Sequence, residues 1–111
     1  MAGQFELFKD KKGEFRFRLK AGNGEIILAS EGYKDRAGAA NGIESVKKNA
    51  DLLARFDRKS SPSGKHYFTL KAANNQVIGT SEQYPTEEAR DNGIKSVIAT
   101  ARLAGVEDKT A

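Results

Sequence analysis

The residues in this chain best suited to chemistry come in pairs. Ser30, Glu31 and Tyr33 recur 51 positions later as Ser81, Glu82 and Tyr84, and Lys20 recurs as Lys71. A carboxylate, a phenol and a hydroxyl so close together can form a hydrogen-bonding site for a small ligand. The plainer reading is a tied turn, with Ser and Glu bonding to local backbone and Tyr packing beneath it. Asn41-Gly42 and Asn92-Gly93 form a second repeated pair. Both fall mid-helix by pattern, where Gly costs about 1 kcal/mol relative to Ala. Something must offset that cost twice. Close helix packing is one answer. The functional answer sets Asn41 and Asn92 as amide ligands beside a groove on a two-fold axis, so the candidate groove comprises Asn41, Asn92, Tyr33, Tyr84, Glu31 and Glu82.

A second candidate is a basic strand face. Arg16, Arg18 and Lys20 alternate with Phe15, Phe17 and Leu19, and Tyr67, Thr69 and Lys71 alternate in the same phase in the second copy. Arg16, Arg18, Lys20, Tyr67 and Lys71 together resemble an open sheet that binds single strands by charge and stacking. With one aromatic on the set, a solvated face whose long charges guard the sheet is the plainer reading.

Other chemistry is excluded by composition. There is no cysteine, which removes disulfides, thiolate nucleophiles and Cys-ligated zinc. The single histidine, His66, stands where the other copy has Phe15, and reads as a partly buried structural residue. No GxSxG, HExxH or phosphate-loop spacing occurs, and no carboxylate pair stands out. The residues therefore call for no catalytic site, no metal and no cofactor, and an enzyme is not expected. No stretch approaches 18 apolar residues and the N-terminus has no apolar signal core, so a cytoplasmic protein without membrane contact is the expectation. The net charge of +4 permits a nucleic-acid partner without demanding one.

Periodicity supplies the elements that must hold these residues. Gln4–Lys9 and Glu14–Ala21 alternate like strands, joined by the turn cluster DKKG. Asn23-Gly24 is a hairpin signal, answered by Asn74-Asn75. Glu25–Ser30 gives a third strand, with Ile27 and its mate Ile78 in the core and the cover of Ile26 and Leu28 open. Asp35 and Thr86 are the expected helix N-caps, the latter after Pro85 and before Glu87 and Glu88. The stripes Gly38, Gly42, Ile43, Val46, Ala50 and Ala89, Gly93, Ile94, Val97, Ile98, Ala101 should cover the apolar sheet face. Asp51–Ser60 is too apolar for a flexible linker and reads as extended from about Leu53. The tail from Leu103 can add a short last strand.

The whole pattern occurs twice. Over Phe5–Ala50 against Phe56–Ala101, 17 of 46 aligned pairs are identical without a gap. That ratio makes the chain a tandem duplication and fixes the architecture before any activity. Each copy is near the lower limit for independent stability, so a shared core is expected. The expectation is a single α+β domain over 1–111, repeat 1 about 4–55 and repeat 2 about 56–110. Two β-β-β-α-β repeats would share one antiparallel sheet, with two helices on one face and a pseudo-two-fold axis.

Three motifs carry a resemblance. LKAxN occurs at Leu19–Asn23 and Leu70–Asn74, SExY at Ser30–Tyr33 and Ser81–Tyr84, and NGIxSV at Asn41–Val46 and Asn92–Val97. In tandem they resemble the YegP-like family of uncharacterised bacterial proteins, over nearly the whole chain. The resemblance implies repeats joined into one sheet with C-terminal strands exchanged between units, and homodimers among single-copy relatives. It implies no activity. The residues themselves favour a small non-catalytic binding or interaction module, monomeric through internal pseudo-symmetry. The alternative is a weak single-stranded nucleic-acid binder.

Overall fold

The computed structural model describes residues 3–110; Met1, Ala2 and Ala111, the outermost residues of the expected domain, lie outside the described residues. The first copy gives β1 (Gln4–Lys9), β2 (Phe15–Lys20), β3 (Ile26–Ala29) and α1 (Arg36–Asn49). The second gives β4 (Phe56–Ser60), β5 (His66–Lys71), β6 (Val77–Thr80), α2 (Glu87–Ala101) and β7 (Gly105–Asp108). All seven strands form one sheet in the order β4-β5-β6-β3-β2-β1-β7. Phe5, Phe17, Leu19, Phe68 and Leu70 are fully buried in one continuous core with Ile43, Val46, Ile94 and Val97 of the helices. Both helices therefore cover the same sheet face, as the strand alternation requires.

Local chemistry sets the boundaries. Gly38 N–H donates to Asp35 Oδ1 at 2.7 Å and Ala89 N–H to Thr86 Oγ1 at 3.0 Å, so the two expected caps start the two helices. Gly24 and its mate Asn75 both take positive φ, 85° and 68°, at the same position of the β2–β3 and β5–β6 turns. Asparagine tolerates this left-handed backbone better than other side chains, which explains the exchange.

Three features depart from or refine the sequence expectation. The sheet is mixed: β7 runs parallel to β1, with Phe5 opposite Val106 and Leu7 opposite Asp108. A chain leaving α2 over the helix-covered face re-enters the sheet in that sense, and every other ladder is antiparallel. The joining segment is not extended from Leu53. Leu53–Arg55 is a single 3₁₀ turn closed by Arg55 N–H to the Leu52 carbonyl at 2.9 Å. It carries the chain straight into β4, so the first repeat has no fifth strand of its own. The open question at β3 resolves with Leu28 and Ile27 buried and Ile26 half-buried.

The repeats meet at β3 and β6, through the one pair Ala29 and Thr80. Those two are repeat mates, since 80 − 29 = 51, so the pseudo-two-fold axis passes between them. Next to the axis the symmetry breaks. Leu28 is fully buried while its mate is Gly79, and a Cβ placed on Gly79 would lie 2.7 Å from Leu28 Cδ2. One leucine occupies the space of two.

Candidate functional site

The repeated motifs interlock. In the first copy Phe17 N–H donates to Ser30 Oγ at 2.9 Å, and the same hydroxyl donates to the Glu31 carbonyl at 2.8 Å. The second copy repeats this through Phe68, Ser81 and Glu82 at 2.9 and 2.7 Å. Each serine thus closes the end of its strand. Two residues on, Tyr33 exchanges backbone hydrogen bonds with Phe15 at 2.7 and 2.9 Å, and Tyr84 with His66 at 2.6 and 2.8 Å. The Tyr33 ring stacks on Phe17 with centroids 6.3 Å apart, and Tyr84 on Phe68 at 6.5 Å.

The helix glycines complete the arrangement. A Cβ on Gly42 would lie 2.6 Å from Tyr33 Oη and 2.7 Å from Phe17 Cε2; on Gly93 it would lie 2.5 Å from Tyr84 Oη. The phenol oxygen of SExY occupies the notch made by the glycine of NGI. That contact is the packing reason for two mid-helix glycines. Burial raises both phenol pKa values, aided at Tyr33 by Glu31 and at Tyr84 by Glu82 and Glu25. Asn41 and Asn92 are exposed on their helices.

Beyond Ala29 and Thr80 the two central strands part. The register shifts between Leu19 and Lys20 and between Leu70 and Lys71, where the neighbouring ladders bulge. Bulges add local twist and bend a strand. The gap is a cavity of about 360 Å³ lined by Glu31, Gly32 and Tyr33 of the first repeat and Gln76, Val77 and Ile78 of the second. Its lining offers the Glu31 carboxylate and the Gln76 amide beside Val77, Ile78 and the Tyr33 residue, whose phenol oxygen is taken up in the Gly42 notch, and no cation. Such a site suits a neutral or cationic ligand better than an anion.

The cleft unites Glu31 and Tyr33 of the expected groove. Glu82 and Tyr84 belong to the pseudo-equivalent corner, where Gln83 stands in place of Gly32, Glu25 in place of Gln76 and Ile26 in place of Val77. Gln76 and Val77 escaped sequence reasoning, because they matter only once the repeats face each other. Gly32 was not among the expected site residues either; by sequence it belongs only to the loop into the first helix.

The basic face is laced with ion pairs. Arg16 meets Asp10 at 2.7 Å, Arg18 and Lys20 meet Glu6 at 2.7 and 3.2 Å, and Lys71 meets Asp57 at 3.3 Å. Lys109 adds a third cation to Glu6 at 3.1 Å and Arg18 also lies over the Phe8 ring. Burial alone would raise the Glu6 carboxyl, but hydrogen bonds from Arg18, Lys109 and Lys20 outweigh it and hold its pKa at about 2. Asp10 and Asp57 are lowered chiefly by Arg16 and Lys71. Every cation of the proposed strand-binding set already has a carboxylate partner. Tyr67 is half-buried and Thr69 beside it is buried. Among the described residues, no group of His, Asp or Glu side chains could hold a metal ion, and no helix is long and apolar enough to cross a membrane.

Comparison with known proteins fits this architecture. The domain of unknown function DUF1508 matches twice, at residues 10–57 and 61–108. The chain belongs to the YegP-like UPF0339 family. A UPF0339 protein from the 5′ region of the ptx operon of Stutzerimonas stutzeri is 62% identical over 97 residues, 87% of each chain. One from Shewanella oneidensis is 50% identical over 99% of this chain and 100% of its own. Two solution NMR structures share the fold: the Shewanella oneidensis protein, TM-score 0.93 over 99% of this chain and 93% of its own, and Escherichia coli YegP, 0.94 over 100% and 96% at 49% identity. These relatives are bacterial and uncharacterised, so membership secures the fold and leaves the activity open.

Proposed function

We infer that this UPF0339 protein is a small non-catalytic binding module whose ligand seat is the cleft between Glu31–Tyr33 and Gln76–Ile78. The observation that carries the reading is the parting of the central strands beside the pseudo-axis, which leaves about 360 Å³ lined by Glu31 and Gln76 among others. A volume of this size is within the range that small ligands occupy. The repeated serines are tied to backbone and the lining has no nucleophile–base pair, which favours binding over catalysis. The ligand class is a small polar molecule, neutral or carrying an amine, that donates to Glu31 and lays an apolar part on Val77. The reading includes a cytoplasmic monomer.

The test is a titration of the isotope-labelled chain with a panel of small primary amines and polyols, read by amide shifts, beside native mass spectrometry of gently purified protein. Saturable shifts at Glu31, Tyr33 and Gln76–Ile78, lost in Glu31→Gln, support the seat. That substitution removes the one carboxylate of the lining and keeps its size. A panel without any shift at these residues, together with a ligand-free mass, refutes it.

A further inference from the structure

The two repeats differ most at their outer edges. On β1, Asp10 N–H donates to the Glu14 carbonyl on the β2 side, while the Leu7 carbonyl accepts from Lys109 N–H on the β7 side. Backbone direction alternates along an antiparallel strand, so Phe5 and Leu7 turn their amides and carbonyls toward β7. The same alternation on β4 starts from Ser61 N–H donating to the Lys65 carbonyl. Phe56, Arg58 and Ser60 therefore turn their backbone outward. β4 ends the sheet, and among the described residues no strand lies beyond it. Its mate β1 is covered in parallel by β7, while the segment that would have covered β4 is spent on the turn at Leu53–Arg55.

We propose that the free edge of β4 is a docking site for an extended peptide that runs parallel to it and carries a basic residue at its helix-side position opposite Arg58. The way β7 seats on β1 supplies the template. Val106 lies opposite Phe5, and Asp108 opposite Leu7 forms an ion pair with Arg36 in the first turn of α1. Transferred by 51 positions, Phe5 becomes Phe56, so an apolar residue belongs opposite it. Arg36 becomes Glu87, which is exposed at the start of α2 beside Glu88. The peptide residue in the place of Asp108 then faces a carboxylate instead of a guanidinium. A basic side chain suits it, and an acidic one is repelled. Arg58 itself is held at 2.9 Å by Asp91 of α2, so its charge is answered within the chain.

The same reasoning selects against a second copy of this chain. Its β7 would present Asp108 to Glu87. An edge guarded against its own kind but open in its backbone fits strand addition by a foreign segment. In that mode main-chain bonds give affinity and alternate side chains give selectivity.

The probe is the peptide of residues 104–110, AGVEDKT, acetylated and amidated, and its Asp108→Lys form, each titrated into the isotope-labelled full chain. The lysine form is expected to shift the amides of Phe56, Arg58 and Ser60, with AGVEDKT about three- to tenfold weaker, the range an exposed charge contact supports. Glu87→Arg should reverse that order. Arg58→Pro removes an outward N–H within the stretch that matches the β1–β7 ladder, on an edge strand where proline is tolerated, and should abolish binding where Arg58→Ala does not, while a cooperative thermal melt shows the fold intact. Equal affinity of the two peptides, an order unmoved by Glu87→Arg, shifts at Phe5 and Leu7 in place of β4, self-association through β4, or no shift at millimolar peptide would each overturn the proposal.

Discussion

The two repeats have the same motifs and opposite fates at the axis where they touch. The first contributes Leu28, fully buried; the second contributes Gly79, whose missing side chain makes room for it. Two copies of the first repeat would bring two leucines into one space, and two copies of the second would leave a void. Both errors cost free energy in a close-packed interior. Duplication into one chain thus allowed the halves to specialise for each other.

The largest effects should come from attacking that asymmetry. Leu28→Ala should lose about 2–5 kcal/mol, as buried leucine truncations do, and lower the melting temperature accordingly. Gly79→Leu should cost about 1–3 kcal/mol or more from overpacking. Joined as Leu28→Gly with Gly79→Leu, the leucine changes repeats. The pair should then be more stable than the separate losses of Leu28→Gly and Gly79→Leu added together, by a coupling of about 0.5–3 kcal/mol, because the sites share one space. Simple additivity in denaturant melts would show that the two positions do not compete. By the same logic residues 1–55 alone should be largely unfolded, lacking both β7 over β1 and a partner with a glycine at the axis.

The next comparison is between Gly93 and Lys95 on one helix. Propensity favours leucine over glycine at position 93. Packing opposes it, since even a Cβ there would lie 2.5 Å from Tyr84 Oη. Gly93→Leu should destabilise by about 1–3 kcal/mol or more, and Lys95→Leu, at an exposed position, should stay within about 0.5 kcal/mol. Gly42→Leu should behave like Gly93→Leu, because Tyr33 fills the same notch. A stabilised Gly93→Leu would mean that the tyrosine moves aside and that the notch is open to ligands.

Acid should separate the repeats more gently. Glu6 has three cations about it and is buried; its mate Asp57 has Lys71 and Lys59 and is half-exposed. A carboxyl whose folded pKa is depressed adds stability above its unfolded pKa, and that stability is lost as pH falls toward the folded value. For Glu6 the window runs from about 4.5 down to about 2. Wild-type stability should decline across it, and Glu6→Gln should be less stable at neutral pH with a flatter slope. Asp57→Asn should change both far less. Equal slopes for Glu6→Gln and wild type would show that the carboxylate cluster does not contribute to folding.

The fold was legible because strand alternation, helix stripes and a gapless 51-residue shift all agreed. The site was less so. SExY and NGI were visible as repeated, but only the packing of Tyr33 under Gly42 shows why they travel together. The cleft was out of reach because Gln76–Ile78 and Glu31–Tyr33 are over 40 positions apart and meet only through the pseudo-axis. The parallel sense of β7 was likewise unreadable in GVED, since a four-residue strand carries no direction of pairing.

The smallest effect is expected where the repeats' open sheet faces differ. The first presents Arg16, Arg18 and Lys20; the second presents Tyr67, Thr69 and Lys71. Four unpaired cations would give a log–log salt slope near −3, at about −0.7 for each single-strand phosphate contact. These cations are not unpaired. Asp10 answers Arg16, Glu6 is shared by Arg18, Lys20 and Lys109, and Asp57 by Lys71 and Lys59. A phosphate must displace a carboxylate that is already in place, so the slope should fall toward −1 to −2 and stacking on Tyr67 cannot recover the difference. Binding of a poly-pyrimidine oligonucleotide should be no tighter than the non-specific range of about 10⁻⁴ to 10⁻⁶ M at physiological salt. Arg16→Ala with Arg18→Ala should weaken it only a few-fold, and Glu6→Gln should strengthen it by freeing cations. Sub-micromolar affinity at physiological salt, abolished by the double arginine change, would instead make the first repeat's open face a nucleic-acid site and displace the cleft as the seat of function.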